Sequence, residues 1–398
     1  MQNVVFSTSE NVQEEWDSIK PFFQPIVEVS SGRVTGYEAL ARYVNSNGEA
    51  VSAGHLFTDE GISTEDKRRL DRLVREKAVR RAHELPDQTR MTLNISPQWL
   101  TATTTDALPT LDMLHRHKVD PSRIVIELIE LNGDLDSLCR AVKLYREAGV
   151  RIAIDDFGAG FSQIDRVIAL EPDIIKLDMR LFQQGAQGGM AESAVESLVV
   201  FCAKSGAVIV CEGVETEEEF FFGLRCGARH MQGFLFSQAT EDFADCHAFS
   251  QQVAELRARF FAAQKEKAQK ARASYQHLMQ AVESIQQHHK MLDIVDVKFV
   301  SQSLRAINGV IRFYAADSTG EQLTVNYARP MEGDVWIEDA RFKGYNWSWR
   351  AYFYQLFAGE SRVLSQEYLD IETSTPCKTL SVQLNDNTIL LIDVEASS

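Results

Sequence analysis

Two adjacent carboxylates, Asp155 and Asp156, follow the apolar run at residues 151–154 and precede a glycine-rich turn, Gly158-Ala159-Gly160. Two unpaired acids side by side repel each other and resist burial. Such a pair therefore favours a bound cation or a fixed lysine as its counter-charge. The pair indicates a site that holds positive charge rather than a packing position.

Polar side chains also lie within or at the end of six other apolar runs. They are Glu38, Asn94, Glu127, Lys176, Glu212 and Gln232. With the Asp pair, the acids and Asn94 offer oxygen donors, which suit Mg²⁺ or Mn²⁺ better than zinc. Five carboxylates exceed the needs of one Mg²⁺ and suit two ions about 4 Å apart, the arrangement that clamps both oxygens in phosphoryl displacement. Lys176 could hold the attacking water or neutralise phosphate charge, so the set predicts metal-assisted phosphodiester hydrolysis.

The apolar runs that carry these residues alternate with stretches of helical period. The runs are 34–40, 91–96, 123–130, 151–156, 173–178, 207–215 and 230–237. This alternation predicts β/α units with parallel strands. In a (β/α)8 barrel of the TIM type the strands point the same way, so their carboxyl ends converge on one rim. We predict an α/β fold whose barrel ends near residue 245 and gathers the polar residues at that rim.

An ordered series of motifs resembles the EAL phosphodiesterases, which hydrolyse cyclic di-GMP to linear pGpG. In chain order the motifs are Phe23-Gln24-Pro25-Ile26-Val27, Gly36-Tyr37-Glu38-Ala39-Leu40-Ala41-Arg42, Leu93-Asn94-Ile95-Ser96, Ile126-Glu127-Leu128-Ile129-Glu130, Asp155-Asp156, Lys176-Leu177-Asp178, Glu212-Gly213-Val214-Glu215-Thr216 and Gln232-Gly233-Phe234. Glu38-Ala39-Leu40 alone is weak evidence, because its residues are common. The whole series carries the resemblance, over about residues 18–242.

The resemblance implies a role for each site residue. One Mg²⁺ or Mn²⁺ ion would be held by Glu38, Asn94, Glu127 and Asp155, and a second by Asp155, Asp156 and Glu212. Lys176 would orient the nucleophilic water, with Glu38 and Glu212 completing the catalytic set. The substrate-binding residues would be Gln24, Arg42 and Gln232, the last also near the metals. Glu130 and Glu215 would brace the loop after Asp156, which would couple homodimer formation to the metal site.

Two positions depart from the family pattern. Ile129 stands where the family usually has Thr, which could loosen the loop beside Glu130, and Ala159 is often Thr in relatives. Neither change removes a proposed ligand. EAL domains also occur as receptors that bind cyclic di-GMP without hydrolysing it and signal to a protein partner. The sequence favours the enzyme, because Lys176, Glu212 and the Asp pair occur together.

The overall composition narrows the partners and the location. With 57 acidic and 41 basic side chains, the formal net charge of -16 argues against a nucleic-acid polymer or an anionic membrane as partner. Six scattered cysteines show no CxxC pair and no zinc spacing, which suits reduced thiols. No window approaches the roughly 18 apolar residues of a membrane span. We expect a soluble cytoplasmic protein.

The chain changes character after the barrel. Residues 250–290 contain neither Gly nor Pro, which favours one long helix. Beyond residue 293, strand-like runs separated by turns at 317–320 and 385–387 predict an antiparallel sheet with flanking helices. We expect an EAL barrel at 1–248, a linking helix at 249–292 and an α+β domain at 293–398.

The aromatic segment at residues 345–353 resembles part of a PAS/Cache-like sensory module that follows EAL domains in some bacterial proteins. Its aromatic residues are Tyr345, Trp347, Trp349, Tyr352 and Phe353. Trp347, Trp349, Tyr352 and Phe353 could line a ligand pocket or pack in the core. Because this module lies at the end of a stiff helix, we hypothesise that it regulates the barrel by changing dimer geometry, in response to a ligand or partner that the sequence does not identify.

Overall fold

The computed structural model describes residues 16, 18–45, 47–96, 99–100, 108–128, 134–159, 164–330, 335–370, 372–373 and 375–396. They form two compact units, Met1–Phe260 and Phe261–Ser398. Within this described part of the chain, no helix combines the length and the apolar character needed to cross a membrane.

The first unit contains a closed barrel of eight strands with one extra strand at its side. The strands are β1 (Lys20–Glu28), β2 (Val34–Val44), β3 (Ala50–Ser52), β4 (Arg90–Ile95), β5 (Ile124–Leu128), β6 (Arg151–Phe157), β7 (Ile174–Leu177), β8 (Val208–Cys211) and β9 (His230–Met231). The order β1-β9-β8-β7-β6-β5-β4-β2 is closed by pairing of β1 with β2, and β3 pairs only with β2. The TIM-like α/β barrel predicted from the sequence is confirmed.

One barrel strand runs against the others. Strand β1 is antiparallel to both β2 and β9, whereas the neighbouring pairs from β2 through β9 are parallel. Residues 29–33 are too few for a crossover, which takes a dozen or more residues, so β1 and β2 form a hairpin. The expectation that all barrel strands point the same way is therefore wrong for β1.

Helices alternate with the parallel strands. They are α1 (His55–Thr58), α2 (Thr64–Arg81), α3 (Pro109–Arg116), α4 (Leu135–Glu147), α5 (Ile164–Leu170), α6 (Met179–Ala186), α7 (Met190–Ser205) and α8 (Glu217–Cys226). Short 3₁₀ turns lie at Ala82–Glu84 and Pro121–Arg123. Helix α8 begins with a capping box, in which the Thr216 hydroxyl accepts from the Glu219 amide and the Glu219 carboxylate accepts from the Thr216 amide. This cap fixes the chain shortly after the end of β8.

The long helix α9 spans Ser250–His289, close to the linking helix expected from the sequence. It begins in the first unit and ends in the second. The remaining elements are α10 (Val297–Arg305), β10 (Val310–Asp317), β11 (Asn326–Ala328), β12 (Ile337–Asp339), α11 (Ala351–Tyr354), a 3₁₀ turn (Gln355–Ala358), β13 (Arg362–Leu364), β14 (Tyr368–Leu369), β15 (Pro376–Asn385) and β16 (Thr388–Glu395).

The strands of the second unit form an antiparallel sheet in the order β12-β11-β10-β16-β15-β13, with β14 beside β15. Alternate residues of its central strands face two different cores. Phe313 and Ile392 pack with Leu278 of α9 and with α10, while Tyr314 and Leu391 pack with α11. The expected antiparallel sheet with flanking helices is confirmed, and both of its faces are covered.

The core on the α9 side should be sensitive to loss of volume. Ile392 is fully buried, whereas Ile337 of β12 is 56% exposed. Ile392→Ala should lower the free energy of unfolding of the second unit by about 2 to 5 kcal/mol, because it leaves a cavity in a packed core. Ile337→Ala is the matched control and should change it by less than about 0.5 kcal/mol. Urea titration followed by tryptophan fluorescence measures both, and equal effects would contradict this packing.

A candidate two-metal site at the barrel rim

Lys176 lies at the centre of the polar residues that the sequence singled out. Its side chain rises from β7 and is only 2% exposed. The ammonium nitrogen Nζ lies near four carboxylates: 2.9 Å from Glu38 Oε2, 2.8 Å from Glu127 Oε1, 3.5 Å from Asp155 Oδ1 and 2.5 Å from Glu212 Oε1. The structure thus brings together side chains that are up to 174 residues apart in the sequence.

Most of the polar side chains around Lys176 lie on the parallel strands or directly after them. Glu38 is on β2, Asn94 on β4 and Glu127 on β5, and Asn94 is paired in register with Glu127. The Asn94 amide nitrogen Nδ2 donates to Glu38 Oε1 at 2.9 Å. Glu212 follows directly after β8. This is the convergence at the carboxyl ends of barrel strands that the sequence predicted.

The Asp pair reaches the site through an irregularity in β6. Successive side chains of a regular strand point to opposite faces, so an unbroken strand would separate Asp155 from Asp156. The pairing of β6 with β7 shifts between Ile154 and Phe157, and Asp156 adopts a left-handed conformation with φ of 50°. Carboxylate oxygens of Asp155, Asp156 and Glu212 consequently lie within 4.8 Å of one another. Bulges of this kind re-aim side chains beside active sites.

Two glutamines extend the network. Gln232 Nε2 donates to Glu38 Oε2 at 2.7 Å and to Gln24 Oε1 at 3.1 Å. Gln24, on the antiparallel strand β1, pairs directly with Glu38, and its Nε2 donates to the Ser237 carbonyl at 3.2 Å. Gly233 is needed after Gln232, because a Cβ atom there would lie 2.1 Å from the Val214 carbonyl oxygen. Both glutamines therefore belong to the same bonded group as Glu38.

The charges at this site are unevenly compensated. Burial opposes ionisation of Glu38, but Lys176 and hydrogen bonds from Asn94 and Gln232 hold the pKa of Glu38 below its usual value. Burial lowers the pKa of Lys176, yet its four carboxylate neighbours outweigh burial and hold that pKa well above its ordinary value. One buried ammonium is thus strongly bound by its acidic neighbours.

The other acids have raised pKa values. Burial raises the pKa of Glu212 to about 8, with Lys176 opposing the shift and Asp155 adding to it. Burial and the charge of Asp155 raise the pKa of Glu127 well above its ordinary value. Burial, Asp155 and Asp178 raise the pKa of Asp156 to about 6. Lys176 alone does not neutralise this many carboxylates.

The donor set fits hard divalent cations. Asn94 Oδ1, Glu127 Oε2 and Asp155 Oδ1 are buried and have no hydrogen-bond partner among the described residues. Buried polar atoms are normally satisfied, so orphaned oxygens beside an excess of negative charge are suited to a metal. Every donor is a carboxylate or amide oxygen, the ligand type of Mg²⁺, Mn²⁺ and Ca²⁺.

Three predicted site residues have no hydrogen bond to this centre among the described residues, or lie outside those residues; of these, Arg42 still interacts with the charge of Glu38. Arg42 donates to its neighbouring Ala41 carbonyl and to Ser52 Oγ, and burial lowers the pKa of its guanidinium. Glu215 is exposed and its amide donates to Glu219. Glu130 lies outside the described residues, as do Ile129 and residues 160–163 of the loop after Asp156.

Sequence reasoning did not foresee two contributors. Asp178 is 8% exposed, accepts from the Leu181 amide as the N-cap of α6, and raises the pKa of Asp156. The Ser237 carbonyl accepts from Gln24. An Asp directly before a helix is an N-cap signal that could have placed Asp178, whereas a carbonyl acceptor leaves no sequence signal.

Comparison with known proteins places these observations in a family. Residues 9–239 match the model of the EAL domain. The chain belongs to the EAL domain family. Residues 243–397 match the model of the EAL-domain associated signalling protein domain. The family resemblance predicted from the sequence is thereby confirmed.

Relatives of this EAL protein support the assignment over the whole chain. The EAL-domain containing protein YkuI of Bacillus subtilis (strain 168) is 27% identical over 394 residues, covering 96% of this chain and 95% of YkuI. A crystal structure of YkuI in complex with substrate c-di-GMP and calcium matches with a TM-score of 0.84 at 26% identity, covering 98% of this chain and 99% of that chain. The probable cyclic di-GMP phosphodiesterase PdeB of Escherichia coli (strain K12) is 30% identical over 229 residues, covering 56% of this chain and 43% of PdeB.

Removal of the central ammonium should destabilise the barrel. Lys176→Met keeps the side-chain length but leaves the surrounding carboxylates without a cation, which should cost about 3 to 5 kcal/mol. Thermal unfolding in EDTA measures the loss, and MnCl₂ should raise the melting temperature of the variant more than that of the wild type. Lys143→Met is the control, because the Lys143 side chain is 77% exposed. An unchanged melting temperature for Lys176→Met would show that this ammonium does not hold the carboxylates together.

Proposed function

We propose that this EAL protein is a phosphodiesterase that hydrolyses cyclic di-GMP to linear pGpG in bacterial second-messenger signalling. The cluster of Lys176 with four carboxylates and the adjoining Asp155, Asp156 and Glu212 oxygens carries the proposal. YkuI has been crystallised with c-di-GMP as its substrate, and PdeB is named a probable cyclic di-GMP phosphodiesterase. Both relatives support cyclic di-GMP as the ligand.

The proposed cofactors are two Mg²⁺ or Mn²⁺ ions. The residues that would hold one ion are Glu38, Asn94, Glu127 and Asp155, and those that would hold the other are Asp155, Asp156 and Glu212. Two such ions supply positive charge to the attacking and leaving oxygens of a phosphodiester. The buried oxygens of Asn94, Glu127 and Asp155 that lack a hydrogen-bond partner among the described residues support the first set, and the close approach of the Asp155, Asp156 and Glu212 oxygens supports the second.

The remaining residues act directly on water or substrate in this proposal. Lys176 Nζ is held by carboxylates and donates a hydrogen bond that orients the attacking water. Glu38 keeps Lys176 and Gln232 in place, and Glu212 bonds the same ammonium from the other side. Gln24, Gln232 and Arg42 would bind the substrate, since guanidinium groups favour phosphate oxygens. Glu130 and Glu215 would brace the loop that follows Asp156.

The C-terminal unit would regulate this activity. We place the catalytic barrel at residues 1–248, the linking helix at 249–292 and the sensory domain at 293–398. We further propose a cytoplasmic homodimer whose geometry passes a signal from the sensory domain to the loop after Asp156. The match of residues 243–397 to an EAL-associated signalling domain supports a regulatory role.

Turnover tests the proposed function. The full chain with Mg²⁺ or Mn²⁺ should convert cyclic di-GMP to pGpG, measured by chromatography of the products. Glu212→Gln should lower kcat by about 100-fold or more, since loss of a residue that only supports a metal ligand already costs up to that factor. Glu218→Gln is the matched control, because Glu218 is exposed on α8.

Binding measured on the same samples separates the enzyme from the alternative receptor. A non-hydrolysing receptor would bind cyclic di-GMP in the presence of the divalent ion and release no pGpG. That outcome would overturn the catalytic proposal while leaving the ligand assignment in place. Absence of both binding and turnover would remove both.

A further inference from the structure

The second unit buries a row of polar side chains on one face of its sheet. Arg312 on β10 pairs directly with Asp393 on β16, and Asp393 pairs with Thr379 on β15. All three residues are at most 5% exposed. They lie on the same face as Tyr314 and Leu391, in the core on the α11 side. Burying charge in a core is costly unless it serves a purpose or is fully paired.

Three carboxylates, those of Asp370, Glu372 and Asp393, surround the one buried guanidinium of this row, that of Arg312. The Arg312 guanidinium lies 2.5 Å from Asp370 Oδ2, 2.5 Å from Glu372 Oε2 and 3.3 Å from Asp393 Oδ2. A second guanidinium, that of Arg341, also pairs with Glu372, but its side chain is 70% exposed and is shared with Asp339. Burial raises the pKa of Asp393 to about 6 in spite of Arg312. The acidic side of this network retains uncompensated negative charge.

A small cavity of about 40 Å³ adjoins these carboxylates. Its wall is aromatic and includes Tyr314, Trp347, Tyr352 and Tyr368. Such a volume accommodates a molecule of a few non-hydrogen atoms, and aromatic faces attract cationic groups. The four aromatic residues predicted to line a pocket or pack in the core therefore differ. Trp347 and Tyr352 do both, whereas Phe353 packs in the core. Trp349 is 67% exposed.

Arg350, which has no ion pair within the described part of the chain, lines the same cavity. The Arg350 guanidinium carbon lies 4.4 Å from the centroid of the Trp349 ring and 5.4 Å from that of Tyr368. Its Nε is buried without a hydrogen-bond partner, and no ion pair of Arg350 occurs within the described residues. Among the described residues, three carboxylates that share Arg312 and a guanidinium outside any ion pair thus line one cavity.

We propose that this cavity binds a small zwitterion. Its ammonium group would sit against Asp370, Glu372 and Asp393, and its carboxylate would pair with Arg350. Tyr314, Trp347 and Tyr352 would enclose the carbon atoms between the two charges. A zwitterion can pair with Arg350 and with the three carboxylates at the same time. A simple amine would leave Arg350 without an ion pair, and a simple acid would be repelled by the three carboxylates.

Glycine is the probe, because it is the smallest α-amino acid, with L-alanine as a second probe. The full chain is titrated with each in an isothermal calorimeter, and methylammonium and acetate supply the two charged groups separately. Glycine or L-alanine should bind at least about tenfold more tightly than methylammonium or acetate, since each of these two ions lacks one charge-assisted contact. Failure of both amino acids to bind at millimolar concentration would overturn the proposal. Equal affinity for methylammonium would also do so, because Arg350 would then have no role.

Three variants complete the test. Arg350→Gln leaves the Arg312 network intact and should weaken glycine binding about tenfold or more, while Arg272→Gln on α9, outside the cavity, should leave it unchanged. Unaltered binding in Arg350→Gln would contradict the proposal. Asp393→Asn should also weaken binding. If that variant does not fold, the Arg350 result decides. Hydrolysis of cyclic di-GMP is not a readout here, so failure of this proposal is distinct from failure of the proposed function.

Discussion

The barrel depends on one buried ammonium group. The Lys176 side chain is 2% exposed, and its ammonium group contacts carboxylates from four different strands or strand ends at the rim of the barrel. Without a cation at that point, the same acids would repel one another in a region of low dielectric. The chemistry proposed for the rim and the burial of these acids therefore share one electrostatic requirement, a cation placed among them.

Much of this site could be predicted because parallel strands order their ends in space. Each polar residue lies within or at the end of an apolar run, and the fold brings such positions together whatever their distance in sequence. The structure brings Glu38, Asn94, Glu127, Lys176 and Glu212 together, as the predicted order of strands requires. Predicting this convergence required only the order of strands and helices along the chain.

The remaining features depend on local backbone geometry that side-chain patterns do not encode. The left-handed conformation of Asp156 and the bulge in β6 arise where two acids compete for one face of a strand. The reversed direction of β1 follows from the short connection at residues 29–33, and the apolar pattern of a strand is the same in both directions. In the second unit, the row from Arg312 to Thr379 depends on strand pairing across long separations in sequence.

The hairpin of β1 and β2 sets a length requirement on the chain. Because β1 runs against its neighbours, Gln24 faces Glu38 through the hairpin register, which the connection at residues 29–33 and the register shift between Ile26 and Val27 set together. Side chains alternate with a period of two, so a slip of one residue would turn Gln24 away from the rim and bring a neighbour in its place. The other seven strands would keep their pairings. A change in the number of residues in this turn would therefore preserve the contact only if the register shift between Ile26 and Val27 compensated for it, so a segment without catalytic residues constrains the site.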